Sequence, residues 1–168
     1  MDHRPDDRTR VAALTSYGVL DTPNEAEFDA IVREAAKAMR APIALISLLD
    51  DNRQWFKAKV GLEPSETPRS ISFCTHAIRG GDVMVVPDAR QDDRFAANPL
   101  VTGSPNIRFY AGAPLKTASG MRIGTLCVLD DKPRAQLTER QKAMLETLAE
   151  RTMQAMEERR ARKAKAAR

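Results

Sequence analysis

Seven consecutive residues, Ile43–Leu49, are apolar at odd and even positions alike apart from Ser47, and this run constrains the fold more than any other feature. A strand sends alternate side chains to opposite faces, so a strand apolar on both parities needs cover on both sides. The expectation is therefore a strand covered on both faces.

The segments around it read as helices, strands and loops. Residues 6–16 carry Val11 and Leu14 at helical spacing before Gly18, which reads as a short helix. Thr22, Pro23 and Glu25 read as a cap, a first helical residue and a capping-box partner, followed by Phe28, Ile31, Val32, Ala35 and Met39 on one face. After the strand, Asp50-Asp51-Asn52 has turn chemistry. Residues 54–60 then alternate, with Phe56, Ala58 and Val60 on one face and Trp55, Lys57 and Lys59 on the other, as in an edge strand. Residues 62–72 lack periodicity and read as a loop.

Ser72 can cap a short helix over 73–79. Residues 83–86 read as a brief strand, and 92–97 as a second short helix stopped by Pro99. Residues 107–115 and 122–129 read as a hairpin, with Arg108, Tyr110 and Gly112 on a polar, open face. Thr138 and Gln141 form a capping box ahead of a helix whose stripe is Met144, Leu145, Leu148, Thr152, Ala155 and Met156. Hairpins with helices segregated at the ends give an α+β class.

Composition narrows the function. A chain of 168 residues that is 42% hydrophobic is long enough to bury a core without disulfides or structural metal. Two cysteines suit a reducing compartment. The longest apolar stretch, residues 41–49, falls far short of the roughly 20 residues that span a bilayer. The charged start lacks a signal-peptide core, so a cytoplasmic location without membrane contact is expected. The net charge of +4 is concentrated in residues 151–168, which carry seven basic and two acidic residues. A basic tail is not a basic face, and nucleic acid is not an expected partner.

Ordered motifs carry a family resemblance. They are Leu20-Asp21-Thr22-Pro23, Asp51-Asn52-Arg53-Gln54-Trp55-Phe56, Ser65-Glu66-Thr67-Pro68-Arg69 and Phe73-Cys74-Thr75-His76-Ala77-Ile78. Val86-Pro87-Asp88-Ala89-Arg90, Arg94-Phe95, Asn98-Pro99, Ile107-Arg108-Phe109-Tyr110-Ala111-Gly112 and Gly124-Thr125-Leu126-Cys127-Val128-Leu129-Asp130 follow. In this order and spacing they resemble the GAF domain family over residues 20–160, leaving 1–19 as a helical extension and 161–168 as a basic tail. The resemblance implies a central antiparallel sheet with the long terminal helices on one face. Short helices and loops would enclose a ligand pocket on the other. It also implies a small-molecule sensor in signal transduction, homodimeric through its terminal helices and acting on a separate output protein.

On that topology Trp55, Phe73, Cys74, His76, Asp88, Arg94, Arg108, Tyr110 and Cys127 would line the pocket. Aromatic walls with a few convergent polar groups suit a small ligand of unknown identity, and two arginines suit an anionic one. Structural pairing of those arginines with Asp88, Asp92 or Asp93 is the competing reading. Cys74 and His76 lack the further ligands zinc requires, so no metal is expected. Cys74 is the candidate nucleophile of an alternative, a thiol enzyme or redox sensor resembling the free methionine sulfoxide reductases of this fold. Those enzymes use further cysteines in the preceding loop, and residues 62–73 contain none. The Asn-Lys, Phe, Asp-Glu signature of cyclic-nucleotide GAF domains is missing, and Thr75 interrupts the Cys-His pair of bilin attachment. A third reading is a ligand-free scaffold whose pocket is filled by its own side chains.

Overall fold

A computed structural model of the chain describes residues 5–167. The apolar run forms β1 (Ile43–Leu49), buried along its whole length. Ala44, Ile46 and Leu48 enter one apolar cluster, while Ile43, Leu45 and Leu49 enter another. Cover on both faces, demanded by the pattern, is present. One antiparallel sheet runs in the order β3 (Glu66–Pro68), β2 (Arg53–Val60), β1, β6 (Arg122–Asp130), β5 (Phe109–Lys116), β4 (Met84–Val86). This is the expected α+β architecture.

Helices α1 (Pro5–Thr15), α2 (Ala26–Met39) and α5 (Glu139–Ala166) contribute to the first cluster. From α2, Phe28, Ile31, Val32, Ala35 and Met39 are buried in the predicted stripe, and each fully buried large apolar side chain contributes about 1.5–3 kcal/mol. Thr138 and Gln141 close the capping box of α5 as read from sequence. Leu14, Tyr17 and Val19 lie in the same core. Tyr17 Oη donates to Glu157 Oε1 at 2.6 Å. At the other end, α5 continues helically through the expected tail to Ala166, with residues 161–167 exposed; Arg168 lies outside the described residues.

Several local expectations are corrected. Thr22 does not cap α2, which starts at Ala26 after Glu25. Both residues are drawn instead to Lys57, whose Nζ donates to Thr22 Oγ1 at 2.9 Å, to Pro23 O at 2.7 Å and to Glu25 Oε2. Strand β2 is internal, because residues 66–68 of the supposed loop pair with it as β3. Its register with β1 shifts between Ile46 and Ser47, leaving Lys57 as an extra bulged residue. The bulge sends Phe56 to the second cluster and keeps Trp55 and Ala58 in the first, so the predicted alternation breaks. Residues 93–97 form turns, and Pro99 starts a helix rather than stopping one. That helix, α4 (Pro99–Thr102), is capped by Asn98 Oδ1 on the Leu100 amide.

Candidate functional site

The second face of the sheet is covered by α3 (Cys74–Ala77), α4 and the loops beside them. Helix α3 is shorter than the 73–79 expected and has Phe73 at its N-cap, and the Oγ of Ser72 just before it accepts from the Thr75 amide at 3.2 Å. Between this cover and the sheet lies a cavity of about 310 Å³, within the range of small-ligand sites. Ile43 and Leu45 of β1, Gln54 and Phe56 of β2, Tyr110 of β5, and Cys127 and Leu129 of β6 supply its sheet wall. Thr67 of β3, Phe73 and Cys74 at the head of α3, Leu100 of α4, Ile107, and the segments 61–64 and 104–105 complete it.

Of the residues predicted from sequence, Phe73, Cys74, Tyr110 and Cys127 meet at this cavity. Phe73 stacks on Phe95 with centroids 4.1 Å apart and tilts against Tyr110 at 5.4 Å, fixing one wall. Tyr110 is fully buried, so the face expected to be polar and open is closed by its ring. Gly112 makes room for it, because a Cβ there would lie 2.2 Å from Tyr110 Oη.

The other predicted residues point elsewhere. Trp55 packs on the helix side of the sheet. His76 meets the ring of Phe95 edge-on at 5.0 Å, outside the cavity lining. Burial, with the charges of Arg79 and Arg94, holds its imidazole below the ordinary histidine value. Asp88 caps a 3-10 turn through the Arg90 amide and pairs with Arg90 at 2.9 Å. Arg94 pairs with Asp92 at 2.7 Å, and Arg108 Nη1 donates to the carbonyls of Val101 and Ile107 at 2.8 and 3.1 Å. The competing structural reading of the arginines describes Arg94. Backbone carbonyls, not an acid, take up Arg108. Among the described residues no lysine or arginine lines the cavity.

A polar group the sequence reading passed over is Gln54. Its Oε1 accepts from Ser47 Oγ at 2.7 Å and Ser72 Oγ at 2.9 Å, and its Nε2 donates to Thr67 Oγ1 at 2.9 Å. The break in the apolar run at Ser47 was the available signal: a hydroxyl buried in a central strand needs a partner.

At the cavity floor Cys74 Sγ lies 3.0 Å from Thr125 Oγ1 and 4.0 Å from Cys127 Sγ, and it accepts from Tyr110 Oη at 3.2 Å. Burial pushes the Cys74 thiol up, but hydrogen bonds from Cys127, Thr125 and Tyr110 outweigh it and bring the thiol down to about 7. Burial and the neighbouring Cys74 push Cys127 well up. The two thiols thus differ in character, one favouring its anion and the other its protonated form. Among the described residues no group of three or more His, Cys, Asp or Glu could hold a metal ion.

A six-stranded antiparallel sheet, long helices on one face and a roofed cavity on the other are together the architecture of a GAF domain. The GAF domain family model matches residues 23–156, and the chain belongs to that family. It is 49% identical over 144 residues to a cyclic di-GMP phosphodiesterase of Pseudomonas aeruginosa, covering 86% of this chain and 24% of that protein. The chain therefore spans about a quarter of the length of this curated relative. The GAF domain of a phosphoenolpyruvate-protein phosphotransferase from Coxiella burnetii has the same fold, with a TM-score of 0.67, 17% identity and coverage of 95% of this chain and 98% of that one. Free methionine-R-sulfoxide reductase from Neisseria meningitidis shares it as well, with a TM-score of 0.64, 19% identity and coverage of 98% and 96%. No helix among the described residues is long and apolar enough to cross a membrane.

Proposed function

We propose that this GAF domain is a non-enzymatic sensory module that binds a small, largely apolar molecule between β1, β2, β5 and β6 and the α3–α4 cover. The observation carrying this reading is the cavity itself, of about 310 Å³, walled by Phe56, Phe73, Tyr110 and aliphatic side chains. Few polar groups face it, among them Gln54 and Thr67, and among the described residues Glu63 is its one charged lining residue. An uncharged ligand fits this lining better than the anionic one suggested by the arginines. The open volume also counts against a scaffold filled by its own side chains.

The route to an output starts at β2. Phe56 lines the cavity, and the next residue, Lys57, is fully buried against Glu25. Glu25 Oε2 in turn accepts from Arg159 Nε of α5 at 2.8 Å. Ligand contact that favours one placement of β2 would bias α5 through this pair, since a ligand shifts a population only by binding one state better. The proposed output is a signalling enzyme such as a cyclic di-GMP phosphodiesterase, a reading supported by the Pseudomonas relative. Homodimerisation through the terminal helices belongs to the same proposal. The exposed flank of α5, with Arg140, Glu146, Glu150, Arg151, Gln154 and Glu158, is polar. Such a contact would be polar and reversible.

Native mass spectrometry of the purified protein, before and after denaturation, tests this reading. The expected result is a dimer carrying a small neutral mass that denaturation releases. A bare species after incubation with cell extract would remove ligand sensing. Arg108→Ala is expected to leave the bound mass in place, and a loss of affinity beyond about tenfold, or 1.4 kcal/mol, would restore that arginine to the site.

A further inference from the structure

We infer that Cys74 and Cys127 form a peroxide-oxidisable dithiol that closes an intramolecular disulfide across the floor of the cavity. Both are free, and both line the cavity, which gives a small oxidant its route to otherwise buried sulfur. Their sulfurs are 4.0 Å apart, so closure to a disulfide length needs an approach of about 2 Å. Cys74 sits in the first turn of the short helix α3 and Cys127 in the central strand β6, so the bond would tie the cover to the sheet.

The surroundings assign the roles. Tyr110 Oη and Thr125 Oγ1 lie 3.2 and 3.0 Å from Cys74 Sγ, stabilising its thiolate, and the lowered value of this thiol agrees. Cys74 is then the attacking sulfur and Cys127, held protonated by its surroundings, the resolving one. In the first step the Cys74 thiolate attacks the terminal oxygen of a hydroperoxide, ROOH. The O–O bond breaks, Cys74 becomes a sulfenic acid, and the departing alkoxide takes up the proton the thiol released. In the second step Cys127 sulfur attacks Cys74 sulfur. Hydroxide leaves and combines with the Cys127 proton as water, so two thiols and ROOH yield one disulfide, ROH and water. This chemistry is independent of metabolite sensing, because a cavity that binds no metabolite still admits peroxide.

The test treats the reduced full chain with hydrogen peroxide and follows intact mass and thiol labelling after denaturation. Expected is a loss of about 2 Da with both thiols disappearing together, reversed by a dithiol reductant. The initial rate should rise with pH through about 7, where the Cys74 thiolate becomes the main form. Cys127→Ala should stop at a Cys74 sulfenic acid that a diketone reagent traps, and Cys74→Ser should leave Cys127 unmodified. Two unreacted thiols in the wild-type chain would overturn the inference. So would sulfenic or sulfinic acid accumulating on Cys74 beside a free Cys127, or disulfides formed only between chains. Oxidation of Cys127 in Cys74→Ser at the wild-type rate would remove Cys74 as the nucleophile. The wild-type measurement decides the matter even where a variant fails to fold.

Discussion

Glu25→Ala should destabilise the domain by about 3–5 kcal/mol, because it strips the shared carboxylate from two buried cations. Lys57 is 1% exposed and Arg159 is 4% exposed, and both point at Glu25 Oε2. Removing one partner of a buried pair leaves charge in a poorly solvated site, and here it leaves two like charges as neighbours. For a chain of this size the loss corresponds to a fall in Tm of roughly 6–20 °C. Asp92→Ala provides the contrast. Its partner Arg94 is 45% exposed, so that pair is worth about 1 kcal/mol or less. Acid titration gives a second readout. Burial raises Glu25, but Lys57 and Arg159 outweigh it and hold the carboxyl below its ordinary value. A carboxylate lowered in the folded state stabilises the fold above its unfolded pKa, and that contribution disappears as pH falls through the folded one. Glu25→Ala should therefore lose stability at neutral pH and show a flatter acid limb. Equal stability of variant and wild type in denaturant unfolding at pH 7 would remove Glu25 as the link between β2 and α5.

The same cluster explains what sequence could and could not reveal. Periodicity was decisive where burial follows the repeat of one element, as in the two-sided run of β1, the stripe of α2 and the capping box at Thr138. It failed where tertiary partners compete for a local signal. Thr22 and Glu25 have the spacing of a capping box, yet Lys57 and Arg159 claim them. The bulge at Lys57 inserts one residue without disturbing composition, so the alternation of 54–60 looks regular while half of its side chains change face. At the site, aromatic and sulfur-bearing residues were legible because few roles exist for Phe73, Cys74 and Tyr110 in one neighbourhood. The aliphatic lining was not, since Ile43, Leu45, Leu100, Ile107 and Leu129 read as ordinary core residues. The arginines' partners were not legible either. A cation near a predicted pocket suggests an anionic ligand, but Arg94 is spent on Asp92, two residues away, and Arg108 on the backbone of α4.

Gly124→Ala should cost at least about 3 kcal/mol, because the added methyl meets main chain that cannot rotate aside. A Cβ at this position would lie 2.0 Å from Ser47 O and 3.0 Å from Leu48 Cα. Gly124 pairs with Leu48 of β1 on one side and Leu115 of β5 on the other, so relief requires parting a ladder in the middle of the sheet. Gly18→Ala is the matched control. Its φ of +62° carries the left-handed penalty, but nothing lies within 4 Å of a Cβ there, so about 1–2 kcal/mol is expected. Denaturant midpoints should rank the two variants in that order, and a Gly124→Ala domain within about 1 kcal/mol of wild type would show that β1 and β6 can separate cheaply. The residue matters beyond stability. Thr125 and Cys127 follow it on β6 and hold Cys74 Sγ at 3.0 and 4.0 Å. A strand displaced at Gly124 carries both away from the cover, so any folded fraction of the variant should expose Cys74 to thiol reagents that the wild-type packing slows. The close approach of β1 and β6 that excludes a side chain at Gly124 thus also sets the geometry of the cavity floor.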